Sequence, residues 1–172
     1  MKRRHHIAAG LALLGLSSAA SAQGQICLTQ QETAALVGYA LPDLLSGLRE
    51  KCKATLPPAA FLRTRAAEVE TRYRTEADAL WPQAKAAFIK MMGDDDMVRK
   101  MPDAAVRPFL TAAFATAVVD GFKPGDCAMA DGIAEALAPL PAANLARVIG
   151  LIIAADGKSS DAAGKSGFNI CG

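Results

Sequence analysis

Histidine is almost missing. The 172 residues hold two, His5 and His6, side by side near the N terminus, and nothing from Ile7 onward carries an imidazole. That stretch therefore lacks the Ser-His-Asp and Cys-His nucleophile systems and any His-ligated zinc site. Aromatics are scarce as well, one Trp, two Tyr and six Phe, and Val, Ile and Thr nowhere alternate as they would in a half-buried strand. Charge of one sign is not in excess. Nineteen Lys and Arg stand against seventeen Asp and Glu, which offers no basic patch for nucleic acid. No apolar run approaches the roughly 20 residues that a membrane-spanning helix needs.

What is present first is an export signal. Lys2, Arg3 and Arg4 precede a short apolar run, Ile7 to Leu16, and then small residues ending in Ala20-Ser21-Ala22, an A-x-A cleavage pattern. Residues 1–22 are thus expected to be a signal peptide and 23–172 a mature chain of 150 residues, in the periplasm or secreted. Arg3-Arg4 lacks the surroundings of a twin-arginine signal, and Gly24-Gln25-Ile26 before Cys27 is a poor lipobox. Cleavage removes both histidines and three cations, so the net charge falls from +2 to −1.

The mature length suits one domain. Helix formers dominate, and the expected fold is all-α, a compact bundle of about six proline-bent helices braced by two disulfides. Thr29-Gln30-Gln31-Glu32 is a capping box that opens the first helix, with Pro42 marking a kink or a junction. A charged helix follows from about Arg63 to Leu80, with Glu68/Arg72, Glu70/Arg74, Arg72/Glu76 and Arg74/Asp78 at ion-pair spacing on a solvated face. Pro82 marks a new helix or a bend. One aspartate of Asp94-Asp95-Asp96 caps a short helix, Pro102-Asp103 starts another that Gly121 stops, and Asp126 caps one starting at Cys127. The last, about Ala142 to Ala155, reads as the most buried. A mobile stretch at about 156–167 follows, and Phe168, Ile170 and Cys171 anchor it.

Four cysteines, Cys27, Cys52, Cys127 and Cys171, form an even set with no Cys-x-x-Cys, as expected for two disulfides in an exported chain. If Gln30 to Lys53 is one rod, Cys27 and Cys52 lie about 37 Å apart, far beyond the roughly 7 Å a bridge allows. Of the crossed pairings, Cys27–Cys171 with Cys52–Cys127 is preferred, because the first pair sits on short terminal segments and the second joins a helix end to a helix start.

Candidate chemistry is thin. Ala163-Gly164-Lys165-Ser166 imitates part of a phosphate loop, but Ser159 stands where the leading Gly belongs and six residues remain for the helix that should follow. The aspartate run lacks the alternation and Gly of a calcium loop. Met91, Met92, Met97 and Met101 could offer thioethers to Cu(I), although Met also fills gaps between bent helices. Glu68, Glu70, Glu76 and Asp78, with Tyr73 and Trp81 nearby, are the members available to a histidine-free carboxylate-pair hydrolase of envelope sugars or peptides.

Ile26-Cys27-Leu28-Thr29, Ala40-Leu41-Pro42-Asp43, Cys52 with Leu56-Pro57, Ala84 to Phe88, Gly125-Asp126-Cys127 and the terminal Cys171 together resemble a group of small exported four-cysteine helical proteins of bacteria. That group has no assigned activity, so the resemblance implies a compartment and a fold and carries over no site residue. The expected role is a non-enzymatic binding module of the cell envelope, holding an envelope protein or a small apolar ligand between its helices. No catalytic residue, cofactor or metal is expected.

Overall fold

The computed structural model describes residues 27–159 and Cys171. Residues 1–22, read above as a signal peptide, the Ala163–Ser166 motif, Phe168 and Ile170 lie outside the described residues. Seven α-helices are present among those described: α1 (Gln30–Cys52), α2 (Phe61–Thr64), α3 (Ala66–Met91), α4 (Asp96–Lys100), α5 (Asp103–Val119), α6 (Cys127–Leu137) and α7 (Ala142–Ser159). A 3₁₀ turn, Pro124–Asp126, precedes α6.

The organising element is α1. Its start is the capping box read from sequence, with Thr29 Oγ1 accepting from the Glu32 N–H at 3.2 Å and Glu32 Oε2 accepting from the Thr29 N–H at 2.7 Å. Pro42 neither ends nor divides the helix, which runs unbroken to Cys52. Residues 35–42 are all buried in succession, so this stretch has no solvent face and other helices enclose it all round.

Three helices surround it. α3 runs antiparallel, with Lys90 bonded to Glu32 at one end and Arg49 to Glu70 at the other. α7 also runs antiparallel, its Gly150 lying against Gln30 and Ala34 and its Ala146 against Gly38. α5 ends with Val119 packed on Gly47, and Lys51 donates to the Val119 carbonyl. At Gly38 the meeting of α1, α3 and α7 is so close that a Cβ would stand 2.5 Å from Leu80 Cδ1 and 3.1 Å from Ala146 Cβ.

Two apolar cores result. One joins Leu36 and Tyr39 to Trp81, Ala84, Phe88, Val106 and Leu110, with the Tyr39 and Trp81 ring centres 5.0 Å apart. The other gathers the C-terminal half of α1 with α2, the start of α3, α6 and α7. Both disulfides pair as preferred: Cys27–Cys171 with Cα atoms 5.0 Å apart and Cys52–Cys127 at 5.5 Å. The unbroken α1 makes the rejected Cys27–Cys52 bridge impossible.

The charged helix is longer than expected, Pro82 lying inside α3, which ends where Gly93 (φ 77°) and Asp94 (φ 57°) turn left-handed. α5 ends at Val119 with Asp120 as its C-cap, and Gly121 follows directly, where the stop was expected. Asp126 does not cap α6, because its carboxylate instead accepts from the Lys123 N–H at 2.8 Å and closes the preceding turn. α7 extends through Ser159, four residues into the stretch read as mobile, and residues 160–167 lie outside the described set. Nor is α7 the most buried helix. Val148, Leu151 and Ile152 are 42%, 50% and 62% exposed, and α1 holds the centre instead.

Candidate functional site: an apolar groove between three helices

The groove begins with a stripe on α1. Leu41, Leu44, Leu45 and Leu48 recur at helical spacing and face a gap that α6 and α7 border but do not fill. α6 stands off because it is fastened elsewhere. Cys127 bonds to Cys52, and the Asp131 carboxylate accepts from the backbone N–H groups of Phe61 (3.3 Å) and Leu62 (2.7 Å). Glu135 pairs with Arg65, and Arg72 donates to the Ala138 carbonyl. α7 is fixed at its start by Glu76, whose carboxylate accepts from the Ala142 N–H at 2.6 Å, an anion at a helix N-terminus.

Between these fastenings lies an open trough of about 230 Å³. Met129, Ile133 and Leu137 line it from α6, Leu145 and Ile149 from α7, and Val69 and Tyr73 from α3, and Phe122 completes the lining. Its lining is almost entirely carbon. Tyr73 brings the one side-chain polar atom, and that hydroxyl already donates to the Leu140 carbonyl at 3.0 Å. Burial pushes the Tyr73 phenol pKa up, so the group stays neutral. The α6 side reaches water, Met129 being 61% exposed and Ile133 52%.

Two other clefts are wider and differently lined. One of about 630 Å³ lies between α1, α3 and α7, among Gln30, Gln31, Gln83 and Arg147 with several alanines. The other, about 430 Å³, holds Asp43, Arg74, Asp78 and Arg107 beside Tyr39. In it Arg107 bonds to Asp78 at 2.7 Å and lies 4.5 Å over the Trp81 ring, and Arg74 reaches Asp43 at 3.3 Å.

The carboxylates named for hydrolysis do not share a space. Glu70 is bonded to Arg49 and Arg74, Glu76 to the α7 backbone, Asp78 to Arg107, and Glu68 is exposed. A carboxylate-pair hydrolase needs two carboxyls facing one substrate, one of them held protonated. Here Glu70, Glu76 and Asp78 each turn to a cation or an N–H on a different element, and Glu68 faces solvent. The charged face of α3 is therefore only partly solvated, since its ions fasten α1, α5 and α7 as well as one another. Trp81 is buried, and its indole N–H donates to Asp103 at 2.7 Å.

Asp95 is the cap of α4, accepting from the Met97 N–H at 2.7 Å, while Asp94 and Asp96 both face Arg99. The methionines are divided. Met91 and Met101 pack on the core around Trp81, Met97 is 77% exposed, and Met101 leaves the helix in extended conformation. Among the described residues no three metal-ligating Asp, Glu, Cys or His side chains converge. Also among the described residues, no helix is long and apolar enough to cross a membrane.

Sequence reading expected apolar space between helices but could not place it. Met129 and Ile133, four apart on α6, were the available signal, and they become a wall only once Asp131 and Cys127 hold α6 where it is. No family model, curated protein or solved structure matches the chain.

Proposed function

We propose that this chain is an exported, disulfide-braced helical module of the bacterial envelope that holds a small apolar ligand in the trough between α1, α6 and α7, without transforming it. The observation that carries this reading is the lining. A concave space walled by Leu, Ile, Met and Phe, whose single hydroxyl is already bonded, favours carbon over any polar group. Two disulfides with no unpaired cysteine among the described residues suit an oxidising compartment, and the leader read from residues 1–22 supplies the route.

Two experiments test it. N-terminal sequencing of the protein from a periplasmic fraction should begin at Gln23; an intact leader on the working protein contradicts export. Titration with Nile red, a neutral apolar dye, should give saturable one-to-one enhancement that Ile133→Asp removes. Unsaturable enhancement, or none, contradicts the ligand site.

A further inference from the structure

Resting on that reading, we infer that the trough takes a linear fatty acid, with about nine carbons enclosed and the carboxylate emerging beside Lys51. Three features of the space select the occupant. The first is chemical. With the Tyr73 hydroxyl donating to the Leu140 carbonyl, no lining side chain offers the ligand a free N–H or O–H donor, and the Tyr73 oxygen is the one oxygen acceptor among them. A peptide backbone laid in the trough would leave its N–H and C=O groups unsatisfied, whereas a methylene chain has none to satisfy.

The second is size. A dry apolar cavity of about 150 Å³ takes benzene, so in proportion 230 Å³ encloses about nine carbons. The third is shape. From Leu41 to Leu48 the α1 stripe is about 10 Å long. A zigzag of roughly 1.5 Å bonds advances about 1.25 Å per carbon, which gives about eight carbons over that length. Met129, Ile133 and Leu137, at four-residue intervals on one face of α6, line the space opposite this stripe. Volume and length agree on a chain and exclude a fused-ring ligand of twice that carbon count.

The ends of the trough are unlike, and this orients the chain. Leu41, Tyr73 and Leu145, at 7%, 3% and 6% exposure, close the inner end. Leu48, Phe122 and Met129 form the outer end, and Lys51 follows Leu48 by one helical turn on the same stripe. The Lys51 ammonium lies on the Val119 carbonyl, which also accepts from the Phe122 N–H, so the cation sits on the turn that carries Phe122. In that turn Asp126 is bonded to the Lys123 N–H, and exposed Asp120 and Lys123 oppose each other in charge. Asp120 and Asp126 thus stand against Lys123 within the turn, and Lys51, one turn beyond Leu48, is the cation in line with the stripe.

Calorimetric titration of the oxidised protein with hexanoate, octanoate, decanoate, dodecanoate and tetradecanoate below their micellar concentrations tests this, with decan-1-ol and naphthalene as neutral probes. Affinity should rise about fourfold per added methylene to about ten carbons and less than twofold per methylene beyond. Decanoate should bind about tenfold tighter than decan-1-ol at low salt, and Lys51→Gln should erase that difference. Ile133→Asp should abolish all binding, and Met129→Asp serves if the first variant does not fold. A constant increment through tetradecanoate, or naphthalene binding tighter than every chain, overturns the linear-chain assignment while the apolar site stands. Equal affinity for acid and alcohol, unchanged by Lys51→Gln, overturns the fatty acid as occupant. If neither naphthalene nor any chain binds, the apolar-ligand reading falls with it.

Discussion

Removing the Cys52–Cys127 bridge by Cys52→Ala/Cys127→Ala should cost about 5 kcal/mol of folding stability. The bond closes a loop of 75 residues. By chain entropy such a loop is worth about 4.5 kcal/mol at 25 °C, close to the value for a 100-residue loop. Cys52 and Cys127 are 0% and 1% exposed, so deleting both sulfurs also leaves a void at the α1–α6 junction, which adds up to about 1 kcal/mol. A domain of this size has some 5–15 kcal/mol in total, so the variant should be marginal or unfolded at 37 °C. Urea denaturation followed by far-ultraviolet circular dichroism measures it, with reduced wild-type protein as a second reference. The reduced protein should lose more than the variant, because reduction also opens Cys27–Cys171, whose loop of 144 residues is worth about 5 kcal/mol by the same argument. A loss under 2 kcal/mol in both would refute the reasoning, since α6 would then be held without the bond.

Other perturbations test single contacts. Asp131→Ala withdraws the cap from Phe61 and Leu62 and should cost about 1–2 kcal/mol by denaturant titration; no measurable loss would mean α2 holds itself. Gly38→Ala gains helix propensity but meets Leu80, for a net loss of about 1–2 kcal/mol that Leu80→Ala should largely relieve; purely additive losses in the double variant would argue against the three-helix contact. Asp103 has its pKa lowered, first by the hydrogen bond from Lys85 and then by that from Trp81. A depressed carboxylate contributes stability above its unfolded pKa near 4, and that contribution is lost as pH falls through the folded value. Emission of the single tryptophan, Trp81, should therefore show melting that drops between about pH 5 and 3, with a smaller drop in Asp103→Asn. An identical drop in both proteins would remove Asp103 from the account.

Local features were legible in the sequence and long-range ones were not. The Thr29 capping box and the Asp95 cap involve residues within three positions of each other, so their chemistry lies in the string itself. The disulfide pairing followed from one length argument, because a rod cannot close on its own ends. Asp131 caps a helix 69 residues away and Glu76 one 66 residues away, and no spacing rule reaches that far. Asp126 was misassigned for a related reason, since a carboxylate beside a helix start can bond backward into the preceding turn. α7 carries enough Leu and Ile to look central, but burial depends on what surrounds a helix. α1, enclosed by α3, α5 and α7, took the centre and left Leu151 and Ile152 in water. The trough was foreseen only as a consequence of bent helices packing irregularly. Its position depends on Cys127, Asp131 and Glu76 together, each acting across more than 60 residues.

Methyl resonances of the ¹³C-labelled oxidised protein, followed during addition of decanoate, test the central claim most directly. The account predicts saturable shifts at Leu44, Leu48, Met129 and Ile133, with Met97, exposed on α4, unmoved. Shifts spread equally over Met97, Leu151 and Ile152, or no saturable shift at the trough, would contradict it.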